Sequence, residues 1–142
     1  MSSTHFFAYF LGTTSISIGL IGLTLPKFAS YRLFGVPFTA IAPPSSSPVD
    51  ATSPREQTSE HPAAAYLAAK SVRDIALGIS YFTFAMRSDW GPVRVVAAAH
   101  CFVGWMDAII VRFWPGGVKG KEWGHAIGTT VLAACVWTGT GF

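Results

Sequence analysis

Charge is scarce in this sequence. Asp, Glu, Lys and Arg make up only 12% of its 142 residues, against about 25% in ordinary soluble domains. The net charge of +3 comes from scattered residues, and no run of Lys and Arg interleaves with aromatics. That excludes a nucleic-acid-binding surface. Cysteine is scarce too. Cys101 and Cys135 both lie in apolar runs and no CxxC occurs, so neither a zinc ribbon nor a redox pair is signalled, and both read as buried free thiols. There is no Gly-rich phosphate loop, dinucleotide fingerprint or nucleophile elbow. Kinase, nucleotide-dependent redox and serine-hydrolase chemistry are thereby disfavoured, and no cofactor is expected.

Apolar residues are plentiful, at 51% of the chain. A helix needs about 20 mostly apolar residues to cross a bilayer. The run Phe6 to Leu25, FFAYFLGTTSISIGLIGLTL, meets this with no charge. It has no basic segment before it and no convincing small-residue cleavage site after it, so it reads as a retained helix rather than a signal peptide. Three further spans follow, at about 62–86, 92–114 and 123–142. Pro62 and Pro92 suit a first helical turn, where a missing N–H costs little. Pro26 and Pro115-Gly116-Gly117 close the first and third spans. The expected fold is all-α: an integral membrane four-helix bundle, one domain over 1–142, with a long loop at 27–61 between the first two helices. The second half of that loop, PPSSSPVDATSPREQTSEHP, is polar and Pro/Ser-rich. It predicts a solvated, flexible segment. The first half, KFASYRLFGVPFTAIA, carries aromatics and two cations. It suits either an interfacial segment or a lid folded back over the bundle.

Lys27, Arg32, Arg55, Arg112, Lys119 and Lys121 fall on one side of these spans, and Arg87 and Arg94 on the other. The bias orients the long loop and the third loop towards the cytoplasm, in a membrane expected to be that of the endoplasmic reticulum. Trp114 and Trp123 suit interfacial anchors on that side, and Trp90 on the other. Ser15, Gly19 and Gly22 form a small-residue stripe, better suited to packing within the bundle than to dimerisation. Homo-oligomerisation is left open.

The informative feature is the second span. AAAYLAAKSVRDIALGISYFTF, from Ala63 to Phe84, carries three ionisable groups near its middle. At 100° per residue Tyr66, Lys70, Arg73, Asp74, Leu77 and Tyr81 share one face, so the charges can point inward while apolar residues meet lipid. The third span places His100, Gly104 and Asp107 on one face, with Gly104 leaving space beside the polar pair. The fourth does the same with Glu122, His125 and Thr129. In an antiparallel arrangement Lys70 lies level with Asp107, His100 near Gly78, and Asp107 near Gly128 and Thr129. A charge at mid-bilayer costs about 2.5–3.5 kcal/mol on the insertion scale. Mutual neutralisation would lower that cost, but buried ion pairs seldom stabilise relative to apolar replacements. A functional polar pocket is the better account. No metal is expected there. His100 and His125 stand on different helices, and Lys70 and Arg73 would repel a cation.

The equipment suits proton transfer on an apolar molecule. Asp107 and Asp74 would form the acid/base pair, helped by His100. Arg73 and Lys70 would stabilise a developing oxyanion. Tyr66, Tyr81, His125, Thr129 and Glu122 would bind or orient the substrate. KSVRDIALGI, AHCFVGWMDAIIV and WGHAIGT, after an uncharged first helix and a long Ser/Pro loop, resemble a small fungal family of four-helix membrane proteins of unknown function, DoxX-like in layout. The specific elements are Arg73, Asp74 and Gly78, the Asp107 that ends the second motif's polar face, and the Gly124-His125 pair. The resemblance implies a compact membrane enzyme of fungal specialised metabolism that opens epoxides or closes rings on a lipophilic small molecule, and the acid/base residues suit double-bond isomerisation as well. A non-catalytic membrane adaptor or assembly protein, and a small proton-coupled carrier, are the alternatives.

Overall fold

The computed structural model describes residues 3–36, 62–114 and 117–138. Those residues are all-helical, with no strand among them. Helix α1 spans Ser3–Thr24 and α2 is the short turn Pro26–Phe28, which runs into a π-helical segment, Ala29–Phe34. Helices α3 (Pro62–Met86), α4 (Trp90–Phe113) and α5 (Lys121–Thr138) follow. These bounds lie within a few residues of those the hydropathy and prolines predict. Residues 1–2, residues 37–61 (the end of the loop's aromatic half and all of its Pro/Ser-rich half), the Pro115-Gly116 stop and residues 139–142 lie outside the described residues.

The four long helices pack as two antiparallel pairs, α1 with α3 and α4 with α5, joined through α3 and α4. Small residues permit the close approach in each pair. A Cβ on Gly19 would stand 2.6 Å from the Ser71 carbonyl oxygen and from Ile75 Cγ1 on α3. The Ser15–Gly22 stripe therefore faces inward, as expected, and gives α1 its seat on α3. Gly104 stands beside a hollow that His100 and Asp107 also line, and the room its missing side chain leaves is used. Thr129 of α5 occupies it, so that α4 and α5 cross closely there.

Two helices, His5–Thr24 and Trp90–Phe113, are long and apolar enough to cross a membrane. Helix α3 matches them in length, but Lys70, Arg73 and Asp74 interrupt its apolar character. An apolar cluster of Ala8, Tyr81, Ala85, Val93, Ala97 and Leu132 fills one end of the molecule. At the other end the π-helical segment folds back over the helices, burying Phe34 and Val36. Gly35, at φ +68°, ends this segment in a left-handed conformation. A Cβ there would also stand only 2.6 Å from Lys121 Cβ, so two constraints favour glycine. The loop before α5 holds the fold-back in place. Val118 donates its N–H to the Gly35 carbonyl at 2.9 Å, and Lys121 Nζ donates to the Arg32 carbonyl at 2.7 Å. Residues 29–36 thus fold back against the helices, while residues 37–42 of that loop half lie outside the described residues.

Glycine has different roles along α1 and α5. A Cβ on Gly124 would meet nothing within 4 Å. Gly19→Ala is expected to destabilise by about 1–3 kcal/mol through overpacking. Gly124→Ala should instead gain up to about 1 kcal/mol from helix propensity. Thermal unfolding of the two purified variants measures the contrast, and equal effects would contradict the α1–α3 contact described.

Candidate functional site

The four charges of α3 and α4 converge. Lys70 Nζ stands 2.6 Å from Asp107 Oδ2 and 3.2 Å from Asp74 Oδ2. Arg73 meets Asp107 through both ends of its fork, Nη1 to Oδ1 at 3.2 Å and Nη2 to Oδ2 at 2.8 Å. The same Nη2 stands 3.2 Å from Asp74 Oδ1. Each cation thus touches both carboxylates, and the formal charges cancel. Tyr66 donates its hydroxyl to Asp107 Oδ1 at 3.4 Å. Lys70, Asp74 and Asp107 are buried, with Asp107 only 2% exposed. Arg73 is the least covered, its side chain 31% exposed.

The helical register explains the convergence. Lys70 and Asp74 are one turn apart and face the same way. Arg73 lies beside that line and reaches both carboxylates because its side chain is long. Lys70 and Asp107 meet across the antiparallel α3–α4 contact at the level the sequence suggests. Phe34, from the fold-back segment, covers the cluster, with Lys70 Nζ 4.7 Å from its ring centroid.

Beside the ion cluster lies a cavity of about 320 Å³. Lys70, Asp74, Asp107, His100, His125 and Thr129 form its polar lining, and α1 contributes Thr14 and Ser15. Leu11, Ile18, Leu33, Phe34, Val103 and Leu132 supply the apolar part. Tyr81 is fully buried and its hydroxyl stands 3.3 Å from His100 Nδ1. His125 Nε2 is buried with no hydrogen-bond partner among the described residues, the kind of orphan that bound water or a ligand usually satisfies.

Glu122 stands apart from this set. It accepts a hydrogen bond from the Gly120 N–H at 2.7 Å at the start of α5. It lines an outer groove with Trp105, Arg112 and Trp123 rather than the cavity. Sharing a face with His125 is insufficient: residues three apart differ by about 60° around a helix, and Glu122 lies on the side that meets α4 at the outer groove. Glu122 and His125 also stand at i and i+3, a spacing used in metal-binding bundles. Among the described residues, however, no group of three or more His, Cys, Asp or Glu side chains is placed to hold a metal ion. Cys101 and Cys135 are both free thiols.

Several contributors were not assigned to a cavity wall from sequence, although Ser15, Gly124 and Gly128 are named there for other reasons. Phe34 sits in an aromatic-rich loop half whose fold-back was one of two options. Thr14 and Ser15 sit on an uncharged helix that shows no polar face. Gly124 and Gly128 line the cavity with backbone alone.

Residues 12–139 match the model of DUF4267, a domain of unknown function. The chain belongs to this family. The DUF4267 match spans every residue of the ion cluster and the cavity lining except Leu11. No curated protein and no solved structure gives a significant match.

The cluster makes a stability prediction. Asp107→Asn leaves Lys70 and Arg73 facing one carboxylate, and breaking a buried pair in this way costs about 3–5 kcal/mol. Lys70→Met combined with Asp107→Leu leaves the neutral Arg73–Asp74 pair and should recover most of that loss. A double-mutant cycle from chemical or thermal unfolding measures the coupling, and additive losses would count against a shared cluster.

Proposed function

We propose that this DUF4267 chain is a four-helix integral membrane protein acting as an acid/base enzyme on a lipophilic small molecule. Its reverse polarity supports the membrane reading. Large apolar side chains are exposed on all four long helices, among them Phe6 and Phe10 on α1, Ile79 on α3, Phe102 on α4 and Trp137 on α5. The charges of α3 are turned inward. A soluble domain places these groups the other way round, whereas intramembrane charges pair or face a cavity. The cationic end, with Lys27, Arg32, Arg112, Lys119 and Lys121, would face the cytoplasm. The endoplasmic reticulum and a role in fungal specialised metabolism are further parts of the proposal, with the sequence resemblance as their support.

One observation carries the enzymatic reading. A cavity of ligand size adjoins the buried charges, and an unpartnered imidazole lines it. Small-molecule sites have this character, mostly apolar with a few convergent polar groups. The geometry suggests a division of labour. Asp107 already accepts from Lys70, Arg73 and Tyr66, so its main task is to hold the cations. Asp74 also accepts from Lys70 and Arg73, and both carboxylates line the cavity; lacking the Tyr66 contact, Asp74 is the one assigned the proton transfer. His125 and His100 line the cavity and are the other groups able to give or take a proton there, with Tyr81 behind His100 and outside the lining. Lys70 is placed to stabilise a developing oxyanion. Epoxide opening, isomerisation and ring closure all fit this set.

The mutual neutralisation of all four charges favours a second reading, a non-catalytic membrane adaptor in which the cluster only fixes α3 against α4. Metabolite profiling separates the two. Cells carrying the native protein, Asp107→Asn or His125→Gln are compared by mass spectrometry of lipophilic metabolites, at matched membrane levels of protein. His125→Gln should lower product by about 10²–10⁴-fold, the usual contribution of a general acid or base. The accumulating precursor should differ from product by one water, or have equal mass. An unchanged profile at equal protein level would overturn the enzyme and leave the adaptor.

A further inference from the structure

The pairing of the helices leaves one seam unfilled. Helix α1 packs chiefly on α3, and α5 on α4. Between α1 and α5 lies the cavity, with Leu11, Thr14 and Ile18 on one wall and Gly124 and Gly128 on the other. Both glycines are exposed, and a Cβ on either would meet nothing within 4 Å. They stand at i and i+4, on one face and about 6 Å apart along the axis. A helix-interior glycine costs about 1 kcal/mol relative to alanine. No close packing requires these two, unlike Gly19 and Gly104. Their effect is a strip of bare backbone along the seam.

The ends of the seam are covered. The cluster around Ala8, Tyr81 and Leu132 closes one, and Phe34 of the fold-back covers the other. Beside that cover a depression of about 440 Å³ is lined by Gly120 and Lys121. It shares Leu33, Gly124 and His125 with the cavity. The polar cavity therefore adjoins this outer depression along α5, near the cationic end.

We infer that the α1–α5 seam is a lateral portal for an amphiphile with a hydrogen-bonding head and a slender apolar body, and this rests on the membrane-spanning reading above. The head passes to His125 and Lys70, where the unpartnered Nε2 accepts or donates a hydrogen bond. The body lies on the Gly124–Gly128 strip against Thr14 and Ile18. The two glycines are positioning residues that set how bulky a body can enter.

A fatty acid carrying a diazirine in its chain tests this on the full chain reconstituted in phosphatidylcholine vesicles, with photo-crosslinks mapped by peptide mass spectrometry. Crosslinks are expected at residues 14–18 and 124–132, in addition to those on the outward Phe102 and Ile109. Gly128→Trp should lower the seam crosslinks by about tenfold or more, equivalent to at least ~1.4 kcal/mol, and leave the outward ones unchanged. Gly128→Ala should fall between. Gly124→Leu replaces Gly128→Trp if that variant fails to accumulate. Crosslinks confined to the outward faces, or seam crosslinks unaffected by the bulky side chain, would overturn the portal. Labelling requires no turnover. Seam labelling with an unchanged His125→Gln metabolite profile would keep the portal and remove the enzyme. An altered profile without seam labelling would do the reverse. Recovery of the protein in the soluble fraction, without membrane, would overturn both.

Discussion

The contact between Lys70 and Asp107 is the constraint on which the rest of the structure depends. It is a buried ionic contact between α3 and α4, and it fixes their register. Neither charge is tolerable alone in an apolar surrounding, because desolvation of an isolated ion costs several kcal/mol. Arg73 and Asp74 extend the pair into a neutral quartet in which each cation touches both carboxylates. A slip of α3 by one residue along α4 would turn Lys70 away by 100° and leave charge unpaired. The quartet is thus a specificity device, whatever it contributes to net stability.

The register set at the quartet determines what lies beside it. With Lys70 opposite Asp107, Tyr81 comes level with His100, and the antiparallel α4–α5 crossing sets Thr129 against Gly104. Small residues draw α1 onto α3 and α5 onto α4. Two tight pairs joined along one contact cannot also close tightly along the opposite one unless side chains there fill the space. At Gly124 and Gly128 there are none. The cavity follows from where the sequence spends its small residues: at Gly19 and Gly104 they let helices meet, and on α5 they leave a gap.

Much of this was legible before any coordinates. The helix positions followed from apolar runs and prolines, since both signals are local. Lys70, Arg73, Asp74 and Asp107 were readable as one group because their spacing places them on facing sides of adjacent antiparallel helices. His100 and Tyr81 came with them. Glu122 misled, because residues three apart on a helix differ by about 60°, enough to leave one in the cavity wall and the other in the outer groove. Gly104 lines the cavity with His100 and Asp107, as its spacing suggests, but the seat it gives Thr129 of α5 depends on a neighbour that no local pattern reports. The part played by α1 was illegible from its pattern. It is uncharged, with hydroxyl residues on several faces; the small-residue stripe marks Ser15 for packing, and nothing marks Thr14 and Ser15 as cavity-facing. The fold-back of Ala29–Phe34 depends on Gly35 and on hydrogen bonds from Val118 and Lys121, far away in the chain, and no local signal reports such pairings.

The position of Phe34 links the fold to the chemistry. An aromatic ring over Lys70 Nζ supplies a cation–π contact and removes a route for water. Charges in a water-poor site interact more strongly than the same charges in water. The quartet is consequently both more costly to assemble and more effective once assembled. A purely structural clamp would gain little from a neighbouring hollow lined by two histidines, since a filled core would hold α3 and α4 as well. A binding or reacting site needs that hollow, needs the charges fixed before the ligand arrives, and needs a cover that limits water. The lid, the neutral quartet and the unpartnered His125 each have a use under that requirement. Under the structural one, only the quartet does.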